Sequence, residues 1–230
     1  MRNRLQLLGI LLGSILIFAC QDGTKSAKEA TKASDKTEAT TATPKAKPQN
    51  AKASNIMMDE HAVKTIANNK VTFVDGTSYD IPAAEAGSTS IFLLRHAEKQ
   101  KEGENPGLTK AGTKRAERLA DIFKSENLDR VYTTFFQRTM KTIEPVTSMM
   151  GVFYNAYQPN DMKTFSETIL KNDQGKKILV VGHSNTTTTL VNLLSFQPNK
   201  YPTIPETEFD HLYLVQISAK GQRTVVKMKY

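Results

Sequence analysis

Short apolar runs alternate with amphipathic segments from about residue 90 to residue 230. Ile91–Leu94 and Ile178–Val181 are built from strand-forming residues, which is typical of strands buried on both faces of a sheet. Further strands are predicted at Val131–Thr134 and Val152–Tyr157, and the alternating runs Leu212–Ile217 and Thr224–Met228 indicate an antiparallel pair.

Helical periodicity separates these strands. Thr109 is the expected N-cap of the first helix, which runs to about Lys124. The other helices are expected from Arg138 to about Gly151, where Pro145 would kink or restart the helix, and at Met162–Leu170 and Thr186–Leu194. The resulting order, β-α-β-α-β-α-β-α-β-β, predicts an α/β fold: a three-layer α/β/α sandwich whose sheet is mostly parallel with an antiparallel C-terminal edge.

The first residues have the pattern of a targeting segment. Arg2 and Arg4 precede an apolar run of about 14 residues, too short for a membrane span of ~20, so an uncleaved anchor is the weaker alternative. Ile17–Cys20 resembles a bacterial lipobox, and Cys20 is the only cysteine, so it cannot form an intramolecular disulfide. We expect a signal peptide at 1–19 and a lipid anchor on Cys20, holding the protein in a bacterial cell envelope on the extracytoplasmic side of a membrane.

Residues 20–55 are dominated by Ala, Thr, Lys and Ser and are predicted to be a disordered linker. The folded domain is expected at 56–230. Within it, residues 56–87 would form an N-terminal extension with a hairpin turning at Asp75-Gly76. His61 is placed on a polar helix surface and is given no role.

The net charge of +8 raises the question of a nucleic-acid partner. Much of that excess precedes residue 56, where nine Lys and Arg stand against four Asp and Glu. The chain also contains no tryptophan for stacking against bases. Nucleic acid is therefore not an expected partner.

Two strands are followed directly by a histidine. Arg95-His96-Ala97-Glu98 comes after the first run and Gly182-His183-Ser184 after the second. Ligands of open α/β sheets bind at the carboxyl ends of the strands, so both histidines are expected at one site. Arg138, which follows the strand at Val131–Thr134, is expected beside them.

These motifs resemble the histidine phosphatase superfamily, in its phosphoglycerate-mutase-like branch. The resemblance rests on Arg95–Glu98, on Leu108–Gly112 with Ala116, on Thr134–Thr142 with Arg138 in the arginine position, and on Gly182–Ser184. It extends from about Ser90 to the C-terminus, and four motifs in the right order are more specific than any one of them. It implies a phosphoglycerate-mutase-like fold, a nucleophilic His96, and phosphate binding by Arg95, Arg138 and His183.

The same roles follow from the chemistry of the residues. A neutral imidazole can take up a phosphoryl group, and guanidinium groups suit phosphate oxygens. A metal site on His96 and His183 is disfavoured because the adjacent arginines repel a cation. We expect a phosphatase that needs neither metal nor cofactor and acts on a small-molecule or protein phosphate. A mutase and a non-catalytic phosphate-binding lipoprotein are the alternatives.

A proton donor to the leaving group is the least defined part of this prediction. Asp161, in the turn before a helix, is the preferred general acid, on its loop position alone. It is equally suited to be the N-cap of that helix. Glu98 is closer in sequence to His96 and is the second candidate, unless it has a structural role.

Overall fold

The computed structural model describes residues 53–81 and 87–230. The predicted signal peptide, Cys20 and nearly all of the predicted linker lie outside these described residues. Within them, the strands are β1 Ser54–Ala67, β2 Lys70–Phe73, β3 Ser78–Asp80, β4 Thr89–Arg95, β5 Arg130–Thr133, β6 Tyr154–Ala156, β7 Lys177–Gly182, β8 His211–Ile217 and β9 Arg223–Lys229. The helices are α1 Lys110–Phe123, α2 Gln137–Met150, α3 Met162–Asn172 and α4 Ser184–Ser195. In the described ranges, no helix combines the length and apolar character needed to cross a membrane.

All nine strands of the described residues join one mixed sheet in the order β3-β2-β1-β9-β8-β4-β7-β5-β6. The β-α-β-α-β-α-β-α-β-β order predicted after residue 88 is confirmed. β4, β7, β5 and β6 are parallel neighbours, and β8 pairs antiparallel with both β4 and β9. The antiparallel C-terminal pair therefore follows the parallel part, and β1 to β3 continue the sheet beyond it.

The segment before residue 88 is part of the same sheet. β1 begins at Ser54, slightly earlier than the predicted end of the linker, and runs parallel to β9. The predicted hairpin is present as the antiparallel pair of β2 and β3. The prediction for His61 was wrong, because it lies in β1 and contacts Asp75 Oδ2 through its Nδ1 at 2.6 Å. Backbone pairing of β1 with β9 on either side of His61 keeps the chain extended there, which the polar surface pattern did not reveal.

Helices cover both faces of the sheet, which confirms the three-layer sandwich. One core contains Phe92 and Leu94 of β4 with Leu119 of α1 and Ile143 of α2. The other contains Ile91 and Leu93 of β4 with Phe165 and Ile169 of α3 and Leu190 and Val191 of α4. Successive side chains of a strand point to opposite faces, so β4 contributes to both cores and is buried throughout. Each apolar side chain buried in this way stabilises the fold by about 1.5–3 kcal/mol.

The helices begin and end for local reasons. Thr109 caps α1 by accepting a hydrogen bond from Gly112 N at 3.1 Å, as predicted. α2 ends at Gly151 in the left-handed conformation and contains Pro145, so the helix does not restart at the proline.

Two glycines allow the close packing that positions the strand ends. A Cβ on Gly112 would lie 2.2 Å from the carbonyl oxygen of Glu98. A Cβ on Gly182 would lie 2.5 Å from the Tyr157 hydroxyl and 2.7 Å from Thr186 Oγ1. Both distances are far inside van der Waals contact, so only glycine fits at these two motif positions.

Candidate active site

The register of β4 on β7 brings the two histidines together. Arg95 lies opposite Gly182 in this parallel pair, and His96 N donates to Gly182 O at 2.9 Å. The next residue of each strand end is a histidine, and the His96 and His183 ring centroids are 5.6 Å apart at an interplanar angle of 70°. The convergence of these two imidazoles at one edge of the sheet is confirmed.

His96 is held in one tautomer. Its Nδ1–H donates to Ala97 O at 2.7 Å, so its Nε2 carries the lone pair. Ala97 is itself fixed by a hydrogen bond from its N–H to Thr142 Oγ1 of α2. The residue is 2 % exposed, and burial lowers the pKa of His96 to about 3. The hydrogen bond to Ala97 opposes this shift, while the positive charges of Arg95 and Arg138 add to it. The ring is therefore neutral at pH 7.

His183 is fixed through two buried threonine hydroxyls. Thr139 Oγ1 donates to the carbonyl oxygens of Thr134 and Phe136, at 2.8 and 2.9 Å. Thr139 Oγ1 must therefore accept from Thr134 Oγ1, 2.9 Å away. Thr134 Oγ1 then accepts from His183 Nε2–H at 3.0 Å. This chain leaves Nδ1 of His183 as the acceptor nitrogen.

Arg138 lies in the first turn of α2, where β5 brings the chain to the same edge. Its Nη2 donates to His183 Nδ1 at 3.2 Å, which agrees with the tautomer set by the threonines. Its guanidinium lies over the Phe136 ring, 4.4 Å from the centroid. Burial first, and then the charges of Arg138 and Arg95, lower the pKa of His183 to about 4. Arg138 therefore hydrogen-bonds to His183, and its charge also acts on His96, so it lies at the predicted site.

Arg95 is at the same strand end and is almost fully buried, at 2 % exposure. Its Nη1 donates to the carbonyls of Pro205 and Glu208 at 2.9 and 3.2 Å, and its Nη2 donates to Glu206 Oε2 at 2.6 Å. Within the described part of the chain, the Nε–H groups of Arg95 and Arg138 are both buried without a hydrogen-bond partner. An unsatisfied buried donor costs about 1–3 kcal/mol, and a bound anion would satisfy it.

The two candidate proton donors differ in their surroundings. Asp161 is exposed and caps α3 by accepting from Thr164 N at 3.1 Å. Glu98 is turned toward α1, where Arg115 donates three hydrogen bonds of 2.8–3.1 Å to its carboxylate. Burial alone would raise the pKa of Glu98, but the Arg115 hydrogen bonds outweigh it and lower the pKa below its usual range. Glu98 is thus ionised and committed to Arg115, which disfavours it as an acid.

Several contributors to the site were not predicted. Thr134 lies in the motif Thr134–Thr142, and its hydroxyl in the same motif as Arg138 is the feature of the sequence that could have indicated a place in the site. Glu206 and Phe209 follow the proline-bearing loop Pro198–Pro205. Sequence alone does not indicate that their side chains return to Arg95, because that contact depends on the path of the loop.

A possible metal-binding group lies outside the pair His96 and His183 that the sequence analysis weighed as a metal site. In the described ranges, the ligand atoms of Glu208, Asp210 and His211 lie within 4.8 Å of one another. His211 Nε2 is hydrogen-bonded to Glu208 Oε2 at 2.5 Å, and Lys229 Nζ lies 3.7 Å from Asp210 Oδ2. The Glu208 carboxylate is therefore already hydrogen-bonded to the histidine, and the Asp210 carboxylate is paired with a lysine.

Comparisons with known proteins agree with this geometry. Residues 91–158 match the family model described as the histidine phosphatase superfamily (branch 1). Among solved structures, the protein histidine phosphatase SixA complexed with tungstate is 20 % identical, with a TM-score of 0.51 over 61 % of this chain and 96 % of that chain. A putative alpha-ribazole-5'-P phosphatase from Escherichia coli is 14 % identical, with a TM-score of 0.49 over 64 % and 97 % of the two chains. No curated protein matches the sequence. The SixA likeness shows a common fold.

The tautomers and pKa values of the two histidines can be measured by NMR. Imidazole nitrogen shifts of labelled protein are expected to show two neutral rings at pH 7, with Nδ1–H on His96 and Nε2–H on His183. Because burial holds the pKa values near 3 and 4, neither ring should gain a proton between pH 8 and pH 5.

Replacement of Thr134 tests the hydroxyl chain. Thr134→Val keeps the shape but removes the acceptor of His183 Nε2–H, so the Nε2–H signal of His183 should shift, although Arg138 still donates to Nδ1. Thr134→Ser keeps the hydroxyl and should retain the wild-type spectrum. An unchanged His183 spectrum in Thr134→Val would contradict the role given to the threonines.

Proposed function

We propose that the chain, whose residues 91–158 match the family model of the histidine phosphatase superfamily, is a metal-independent phosphatase acting through a phosphohistidine on His96. The observation that carries this proposal is the arrangement at the end of β4 and β7. A neutral His96 with its lone pair on Nε2 stands beside His183, Arg138 and Arg95. A nucleophile and fixed positive charge are the two requirements of phosphoryl transfer.

The reaction has two displacement steps. His96 Nε2 attacks phosphorus, the phosphorus–oxygen bond to the leaving group breaks, and the leaving oxygen takes a proton from an acid, for which we propose Asp161. Water then attacks the phosphohistidine, the phosphorus–nitrogen bond breaks, and inorganic phosphate leaves the regenerated imidazole. The arginines supply the positive charge that a metal ion supplies in other phosphatases, which supports the metal-independent route.

Buried groups of the site are prepared for an anion. The Nε–H groups of Arg95 and Arg138 point to no partner among the described residues, and phosphate oxygens would accept from both. Bidentate binding of this kind is specific to guanidinium groups, so lysine would not replace either arginine without loss. The substrate class we propose is a phosphomonoester or a protein phosphohistidine. A screen of both with the full chain would identify it.

Labelled substrate and a rapid acid or alkaline quench will test the nucleophile. Wild-type protein is expected to carry an alkali-stable, acid-labile phosphoryl label on His96. His96→Asn should lose the label and lower turnover by about 10³-fold or more, because no second residue replaces the nucleophile. Arg118→Ala is the matched control, since Arg118 lies on the exposed side of α1.

Three results would contradict this mechanism. Unchanged hydrolysis in His96→Asn would exclude the covalent route. Phosphate binding without turnover of any phosphate ester or phosphohistidine would favour a non-catalytic binding protein. Transfer of the label to a second hydroxyl of the substrate, rather than to water, would favour a mutase.

Asp161 is tested by a substitution that preserves its cap. Asparagine caps a helix about as well as aspartate but cannot donate the proton, so Asp161→Asn separates the two roles. Turnover of alkyl phosphates is expected to fall about 10²-fold, and that of aryl phosphates much less, because aryl leaving groups need less protonation. Equal losses on both substrate types would count against Asp161 as the acid.

We also propose that the protein is lipid-anchored at Cys20, on the extracytoplasmic side of a bacterial membrane. The proposal rests on the lipobox-like residues before Cys20 and on the absence of any other cysteine in the sequence. In a bacterial host, the full chain should incorporate labelled palmitate and sediment with membranes. Cys20→Ser should take up no label, and a labelled Cys20→Ser protein would refute the anchor.

A further inference from the structure

One short segment, Pro205–Phe209, covers the catalytic end of the sheet. We refer to it as the covering segment. Its Pro205 and Glu208 carbonyls accept from Arg95, and the Phe209 ring lies 4.3 Å from the Arg95 guanidinium and 6.1 Å from the His96 ring. The covering segment thus packs directly on Arg95 and next to His96, and both residues are 2 % exposed. A substrate phosphate therefore reaches His96 only if part of this segment moves.

Glu206 is the charged residue of the covering segment that faces the site. Its Oε2 accepts from Arg95 Nη2 at 2.6 Å, and its Oε1 accepts from Ser184 Oγ at 2.7 Å. Ser184 is the first residue of α4, so the carboxylate lies at the positive end of a helix dipole. One anionic group thus joins a guanidinium, a hydroxyl and a helix start.

These partners are the ones that a phosphoryl group would use. Arg95 and the start of α4, next to His183, are both part of the proposed phosphate site. A carboxylate and a phosphoryl group present oxygens with similar spacing, and both suit a guanidinium fork. The hydrogen bond from Ser184 is the main cause that lowers the pKa of Glu206, with Arg95 adding to it, so the group is an anion at neutral pH.

We propose that the Glu206 carboxylate occupies the place of a substrate oxygen on Arg95 and Ser184, and that phosphate binds by displacing it. The inference rests on the proposed function, since it concerns the same site. Glu206 is 71 % exposed and can turn into solvent, while the incoming phosphoryl group keeps the buried Arg95 guanidinium paired. A phosphoryl group adds contacts with Arg138 and His183 that Glu206 does not make. Displacement of Glu206 then removes one of the contacts that hold the covering segment over Arg95.

Binding of inorganic phosphate to the full chain, measured by calorimetry, is the direct test. Glu206→Gln keeps the size of the side chain and removes its charge, so phosphate is expected to bind about three- to five-fold more tightly. Glu208→Gln removes the same charge two residues away, from a carboxylate that bonds His211 rather than Arg95. Its phosphate affinity should stay near that of the wild type, which separates displacement from a general effect of net charge.

Two results would overturn the inference. One is equal or weaker phosphate binding in Glu206→Gln than in the wild type. The other is equal tightening in Glu206→Gln and Glu208→Gln. If the first result is accompanied by a loss of turnover on alkyl phosphates, Glu206 is a proton donor instead.

The same measurement in a His96→Asn background separates this inference from the proposed function. That background cannot form the phosphohistidine, yet the competition between Glu206 and phosphate does not require catalysis. Tighter phosphate binding on Glu206→Gln in this background supports the inference even if the wild type hydrolyses no substrate. If the wild type hydrolyses a phosphate ester or phosphohistidine but Glu206→Gln does not bind inorganic phosphate more tightly, the proposed function stands and the inference is refuted.

Discussion

The parallel pairing of β4 with β7 is the constraint on which the site depends. It places Arg95 opposite Gly182 and joins His96 N to Gly182 O, so that the histidine after each strand faces the same space. A slip of one residue would turn every side chain of β4 to the other face and separate the two imidazoles. β4 is buried on both faces between two cores, so such a slip would also exchange the side chains that β4 contributes to each core. The packing of the domain and the geometry of the site are thus set by one register.

Burial gives the site its chemical character. A histidine in water changes charge near neutral pH, but burial and two arginines hold His96 and His183 in their neutral forms. The positive charge of the site is then carried by the guanidinium groups, which stay protonated. The proposed nucleophile, His96, is an imidazole whose lone pair is fixed on Nε2. The hydroxyls of Thr134 and Thr139 and the carbonyl of Ala97 fix the two tautomers. The division of roles follows from the environment of each group rather than from its residue type.

The covering segment gives the same buried site a second property. A carboxylate that already contacts Arg95 satisfies a charge that would otherwise be buried and unpaired, which stabilises the closed arrangement. Arg95 is buried but Glu206 is 71 % exposed, so the carboxylate can leave for solvent when another anion takes its place on the guanidinium. The proposed phosphate site can therefore be closed in the structure and still open to a ligand that supplies more contacts than Glu206 does.

The sequence by itself determined the order of the elements after residue 88, the two-core sandwich and the four residues that meet at the sheet edge. It could do so because apolar runs and helical periodicity report local structure, and because a histidine directly after a buried strand can lie only at its carboxyl end. It did not determine that residues 54–67 form β1, nor that Arg115 donates hydrogen bonds to the Glu98 carboxylate. The contacts of Glu206 and Phe209 with Arg95 were likewise beyond it. Each of these joins residues more than ten positions apart through a side chain or a strand edge, and such pairings leave no periodic signal. Only the tertiary structure decided them, because burial and hydrogen-bond partners are properties of the packed chain.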